Sequence, residues 1–158
     1  MKKILLAVVA FLCLCACNNG EPEDFFYRGL SLRMKSSALV DSLALRGFAV
    51  DSAASADTTG RVLVLKNPSE RYRILIGQKN DTIQALQENY SLSTNDSTRQ
   101  MWQQLRDNLE KETGAWPNCP MLKDDHKIAK FETEGGFITV TLKNTYTPTL
   151  QVLYEVKW

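Results

Sequence analysis

Two amphipathic helix patterns, each followed by three extended segments, constrain the fold of this chain more than any other feature. The first helix pattern begins at Ser36 and stops at Gly47, and the second begins at Ser97 and stops at Gly114. Serine favours the first turn of a helix because its side chain accepts a free backbone N–H, and glycine favours the closing position. The sequence therefore predicts two helices of unequal length in the two halves of the chain.

The extended segments form two sets of three. They span 61–66, 71–76 and 82–88 after the first helix, and 127–133, 137–143 and 149–157 after the second. A spacing of about 10 residues without intervening helices favours antiparallel meanders. Residues 82–88 and 149–155 lie 67 positions apart and share four of seven residues, which indicates an internal duplication.

These patterns predict an α+β fold of two tandem helix-plus-three-strand units. Because one such unit buries little surface alone, we expect both helices to pack on one face of a mainly antiparallel sheet. Residues 26–158 then form one domain, with the first repeat at about 26–90 and the second at about 95–158.

The N-terminus predicts export. Lys2 and Lys3 precede an apolar run over residues 4–16, which is shorter than the about 20 residues of a membrane span and reads as a cleaved signal. The small Ala16 before Cys17 resembles the lipobox of bacterial lipoproteins. That resemblance implies removal of residues 1–16, acylation of Cys17 and a tether over residues 17–25. An ordinary secretory signal cut nearby is the alternative.

Charge and cysteine usage agree with an exported, membrane-anchored chain. Loss of Lys2 and Lys3 leaves 17 basic against 18 acidic side chains, so we expect no nucleic-acid partner. Membrane attachment then rests on the lipid at Cys17. Cys119 is the one thiol left in the lipidated form, which excludes an intramolecular disulfide. Asn18 and the acidic residues of the tether favour the outer membrane, with either leaflet open.

Several core-type positions resemble a known group of proteins. Residues 26–32, then Leu39, Leu43 and Gly47, resemble the opening of uncharacterised exported proteins of gut anaerobic bacteria, and Trp102 and Leu105 match their second half. Those proteins are similar to the β-lactamase-inhibitor-protein fold and, more distantly, to the outer-membrane assembly lipoproteins of the SmpA/OmlA group. The resemblance implies tandem helix-plus-sheet repeats. It implies no activity, because one fold hosts many functions.

Residues capable of catalysis are few. Cys119 lies seven positions before the single histidine, His126, and an imidazole within about 3 Å would activate the thiol. Asp124, Asp125 and His126 are adjacent, which favours a solvated turn over a metal site. We expect no enzyme activity, no cofactor and no metal, with a thiol enzyme using Cys119 and His126 as the alternative.

Two further sets of residues are candidate sites. Alternation along the last strand places Leu153 on an outer sheet face, and the 67-residue register adds Leu86 beside Leu75. An apolar strip of Leu75, Leu86 and Leu153 is a candidate partner site, the alternative being burial by a loop or by residues 25–32. Ser52 and Thr58 follow aspartates in a polar loop and resemble O-glycosylation acceptors, although aspartate and serine also cluster in turns.

The function expected from these observations is binding. The sequence predicts a lipid-anchored, non-catalytic protein of the cell envelope that binds another protein or an envelope component through its sheet face. A structural or assembly subunit of an outer-membrane complex is the other alternative.

Overall fold

A computed structural model describes residues 24–56, 61–120, 126–143 and 146–158. Nine strands and three helices lie in these ranges. The strands are β1 Phe26–Tyr27, β2 Leu30–Ser31, β3 Ala49–Val50, β4 Val62–Lys66, β5 Tyr72–Lys79, β6 Thr82–Tyr90, β7 His126–Glu132, β8 Gly136–Lys143 and β9 Thr149–Val156. The helices are α1 Ser36–Ala44, α2 Ser52–Ala56 and α3 Asn95–Thr113.

Seven strands form one antiparallel sheet in the order β3-β4-β5-β6-β9-β8-β7. Two meanders, β4-β5-β6 and β7-β8-β9, meet where β6 pairs with β9, with Leu86 opposite Tyr154 and Glu88 opposite Val152. Unpaired backbone groups at a sheet edge favour association with another strand. The pairing of β6 with β9 removes two such edges and joins the meanders into one sheet.

The predicted architecture of two tandem helix-plus-three-strand units with the helices packed on one face is wrong. Strands hold 43% of the described residues and helices 27%, so the domain is mostly β. The halves are also unequal, because the first contains the β1–β2 hairpin, β3 and α2 in addition to its helix and meander. Helix α1 has 9 residues and α3 has 19. One continuous sheet, rather than a pair of equivalent units, organises the chain.

The two faces of the sheet differ in what they contact. The core face carries Ile74, Leu86, Val140 and Val152, all buried in one apolar cluster. Side chains from the hairpin and from helices α1 and α3 complete that cluster: Phe25, Tyr27, Leu32, Leu39, Leu43, Trp102 and Leu109. The outer face carries the alternate residues of each strand, among them Leu75, Gln87, Thr139 and Leu153.

The hairpin β1–β2 lies against the core face at the centre of the sheet. The Tyr27 and Tyr154 rings meet edge-on at a centroid distance of 5.3 Å, and the Phe25 ring lies 6.2 Å from that of Tyr154. Phe25 also lies so close to Gly136 that a Cβ atom on this glycine would stand 2.6 Å from the Phe25 Cε1 atom. Glycine at 136 therefore permits the hairpin to pack on β8.

The turn of this hairpin has unusual backbone geometry. Arg28 has φ +49° and Gly29 has φ +78°. Two successive positive φ angles match the right-handed twist of a two-residue hairpin, but glycine and asparagine adopt them at lower cost than arginine. The chain thus holds a long cationic side chain at a position that favours a small residue.

Candidate functional site

A row of outer-face side chains crosses the middle of the sheet. Leu75 lies opposite Gln87, Gln87 opposite Leu153, and Leu153 opposite Thr139. Leu75 and Leu153 are half-buried, and neither belongs to the core cluster nor packs against it. We call Leu75, Gln87, Leu153 and Thr139 the central row. Its two leucines place apolar surface on either side of an amide.

Leu86, predicted to lie on this outer face, is instead fully buried in the core. The cause is a bulge in β6. Gly77 pairs with Ala85 and Gln78 pairs with Ile83, so Gln84 is an extra residue in the ladder. The bulge puts Ile83 and Leu86, three positions apart, on the same face. The predicted three-leucine strip is therefore reduced to Leu75 and Leu153.

The side chains beside the central row are polar. In the adjacent row Gln151 lies between Asn89 and Thr141, and all three are half-buried. The Gln87 Nε2 donates to Asn89 Oδ1 at 2.6 Å. Amides and hydroxyls on a flat sheet supply donors and acceptors to a partner, while the leucines supply apolar contact.

Cys119 and His126 are both exposed. Asn118 pairs with Lys130 through two backbone hydrogen bonds of 2.7 and 2.9 Å, which holds this loop along the edge of β7. His126 lies four residues before Lys130 on that strand, about 13 Å along an extended chain. The loop that carries Cys119 is therefore paired near the middle of β7, whereas His126 lies at the start of that strand.

The predicted modification sites fall at different places. Ser52 is exposed and is the first residue of helix α2, not part of an irregular loop. The preceding Asp51 contacts Lys66 and accepts the Ala54 N–H at 3.3 Å, which closes the first turn. Thr58 and Cys17 lie outside the described residues. Glycosylation of Ser52 and Thr58 and lipidation of Cys17 remain predictions.

A second group of polar residues lies under the hairpin, where sequence reasoning placed no site. Glu88 lies two residues before the end of β6 and points into the core, with 1% of its side chain exposed. Tyr27 donates its hydroxyl to Glu88 Oε1 at 2.6 Å, and Tyr90 donates to Oε2 at 2.7 Å. Arg28 Nη2 lies 2.8 Å from Oε1. Both carboxylate oxygens and their charge are therefore satisfied within the fold.

Tyrosines surround this carboxylate. Burial is the largest cause that raises the pKa of Tyr27 and of Tyr90 far above the ordinary value, and the Glu88 charge adds to it. Burial also raises the pKa of Tyr72 and of Tyr154. All four phenols stay protonated at physiological pH, so Tyr27 and Tyr90 remain donors to Glu88.

One signal in the sequence points to this cluster. Glu88 occupies a position on β6 whose cross-strand neighbours, Ile74 and Val152, are apolar and buried. A charged residue in a buried register requires a partner. The partner, Arg28, lies 60 positions earlier in the chain, and no local pattern connects the two.

Metal sites, membrane spans and relatives add no further assignment. Within the described ranges, no group of three or more histidine, cysteine, aspartate or glutamate side chains could hold a metal ion. None of the three helices described is both long and apolar enough to cross a membrane. Comparison of the chain with protein-family models, with curated proteins and with solved structures finds no match.

Proposed function

We propose that this protein is a lipid-anchored binding protein of the cell envelope, fixed to the outer membrane through Cys17. It binds another protein or an envelope component through the outer face of its sheet. The observation that carries the proposal is the central row: Leu75 and Leu153 lie in mid-sheet, on either side of Gln87, and outside the core cluster. Two partly exposed leucines grouped around an amide in a polar sheet face supply the mixed apolar and polar surface that a protein partner can contact.

The predicted tether of residues 17–25 is too long by its last residue, because Phe25 is 3% exposed and belongs to the core cluster. Residues 17–23 remain as the proposed tether. The first described residues, Asp24 and Phe25, line a cleft with Glu134 and Gly135, which form the β7–β8 turn at one end of the sheet. The six residues between Cys17 and Asp24 give seven Cα–Cα steps, which reach about 25 Å in an extended chain. An anchored domain on such a tether keeps its outer face accessible.

Site-specific cross-linking in the native host tests the binding surface. A photoreactive amino acid at Thr139, beside Leu153, should yield an adduct of discrete mass. The same group at Leu45, which is 91% exposed outside the sheet, is the matched control. We expect Leu75→Asp with Leu153→Asp to abolish the adduct from position 139. Two results would contradict binding through this face: adducts of equal yield from positions 139 and 45, or an adduct from position 139 that persists in the double aspartate variant.

Two further measurements address the anchor and the alternative role. Cys17→Ala should move the protein out of the membrane fraction, and unchanged partitioning would refute lipidation. A stoichiometric complex that survives solubilisation of the membrane favours an assembly subunit, and a free lipoprotein favours a reversible binding protein.

A further inference from the structure

Arg28 occupies a cage built from tyrosine rings and a carboxylate. Its guanidinium carbon lies 4.9 Å from the centre of the Tyr72 ring and 5.6 Å from that of Tyr27. Tyr90 lies beside Tyr72, at a centroid distance of 5.1 Å, and bonds to the far oxygen of Glu88. Aromatic faces around a buried carboxylate form the arrangement that proteins use to bind organic cations.

The cage and its occupant differ in accessibility. The Glu88 side chain is 1% exposed, whereas that of Arg28 is 45% exposed. Tyr27 is fully buried and Tyr72 nearly so. The guanidinium therefore enters from the solvent side, and rotation about its own side-chain bonds would remove it without displacing Tyr27. The tyrosines and Glu88 around the guanidinium are held in place by the core, whereas the partly exposed Arg28 side chain is not.

The geometry is more suitable for a guanidinium than for an ammonium group. The flat guanidinium can stack on the Tyr72 ring while one nitrogen reaches Glu88, which a tetrahedral ammonium cannot reproduce. The backbone at Arg28 also adopts a left-handed conformation, with φ +49°, that is unfavourable for a residue other than glycine. Strain of this kind is concentrated at binding sites and at conformational switches.

We propose that Tyr27, Tyr72, Tyr90 and Glu88 form a guanidinium-binding site that the chain fills with its own Arg28. An arginine side chain of a partner protein takes the place of Arg28 when that side chain rotates into solvent. The site lies under the hairpin on the core face, so it is separate from the central row and independent of the function proposed for the outer face.

Chemical complementation tests the cage. Full-length Arg28→Ala is titrated with methylguanidinium, and the melting temperature is recorded. We expect a saturable rise of several degrees for this variant, at lower cation concentrations than any rise for the wild type, in which Arg28 competes for the site. Arg61→Ala, which removes an exposed arginine just before β4 and away from the cage, is the matched control for the general denaturing effect of the cation. Arg28→Ala with Glu88→Gln should lose the response, and tetramethylammonium should not produce it.

The outcomes remain decisive if Arg28→Ala does not fold alone. Recovery of the β-sheet circular dichroism signal on addition of methylguanidinium supports the cage, and no recovery overturns it. A response no larger than that of Arg61→Ala also overturns it.

Exchange of the native occupant requires a second measurement on the wild type. The Arg28 Nε–H resonance is followed during titration with N-acetyl-arginine amide. A saturable shift of this resonance toward that of solvent-exposed arginines supports replacement by an external arginine. A resonance that does not move would show that Arg28 is a permanent part of the fold and would overturn the proposal.

Discussion

The carboxylate of Asp81 caps helix α1, its Oδ1 accepting the backbone N–H of Ser37 at 2.9 Å. The same oxygen accepts the Ser36 hydroxyl at 2.6 Å, and Oδ2 accepts the Ser37 hydroxyl at 3.0 Å. Lys35, the local N-cap residue, makes no side-chain cap. A helix in the first half of the chain therefore depends for its start on the turn between β5 and β6.

Asp81→Ala should lower the melting temperature by a few degrees, because the first turn of α1 loses its acceptor. The hydrogen bond from Ser36, followed by that from the Ser37 N–H, lowers the pKa of Asp81. The resulting stability is present above the pKa of an unfolded aspartate and is lost as pH falls through the lower folded-state pKa. Thermal melts between pH 2 and 7 should show a weaker acid dependence for Asp81→Asn, and an unchanged dependence would contradict the capping role.

Removal of Arg28 should cost more stability than neutralisation of Glu88. Arg28→Met leaves a buried charge with only two tyrosine donors, at a cost of about 3–5 kcal/mol. In Glu88→Gln the half-exposed Arg28 can turn into water, which limits the loss to about 1–3 kcal/mol. Urea unfolding of both variants gives the comparison. The reverse order would show that the Glu88 charge is not what Arg28 stabilises.

The protein should lose stability at alkaline pH because of its buried tyrosines. Burial raises the pKa of Tyr27 and Tyr90 above the unfolded value of about 10. The folded state therefore binds more protons than the unfolded state above pH 10, and its stability, complete below that pH, falls as pH rises further. Absorbance at 295 nm should show the clustered phenols ionising only when the protein unfolds. Smooth ionisation of all tyrosines in the folded state would contradict the model of the cluster.

Leu86 and Leu153, which the 67-residue register treats as equivalent, should respond differently to truncation. Leu86→Ala removes a fully buried side chain and should cost about 2–5 kcal/mol. Leu153→Ala lies on the outer face and should cost less than about 1 kcal/mol. Equal losses measured in urea would show that Leu153 also packs in a closed core.

Local patterns predicted the strands but not their organisation. Alternation along the last strand predicts that Leu150, Val152, Tyr154, Val156 and Trp158 face the helices. The first three are buried, whereas Val156 is partly buried and Trp158, beyond the end of β9, is 61% exposed. The 67-residue register failed for Leu86, since a one-residue bulge at Gln84 reverses the faces of β6 and leaves no compositional mark. Tandem units were predicted from two similar helix-and-strand patterns and one short repeat, none of which can report the hairpin or α2.

Contacts between distant positions account for most of what sequence reasoning missed. The sequence predicts that serine side chains at 36 and 37 cap α1, whereas the acceptor for the Ser37 N–H and the Ser36 hydroxyl is the Asp81 carboxylate. In the sequence, Glu88 is simply the last residue of the extended segment 82–88. Its contact with Arg28 is not predicted, because the strands β1 and β2, which bring Arg28 to it, have two residues each and are too short to show periodicity.

The packing of Phe25 on Gly136 determines how the domain responds to mechanical load. A force applied along the N-terminal segment acts first on Phe25. The next element, β1, has two residues and pairs with the equally short β2. Because β1 pairs only with β2, loss of the Phe25 contact would detach the hairpin while the seven-stranded sheet keeps its backbone pairing. Detachment of the hairpin would also remove Tyr27 and Arg28 from Glu88 and leave this carboxylate uncovered.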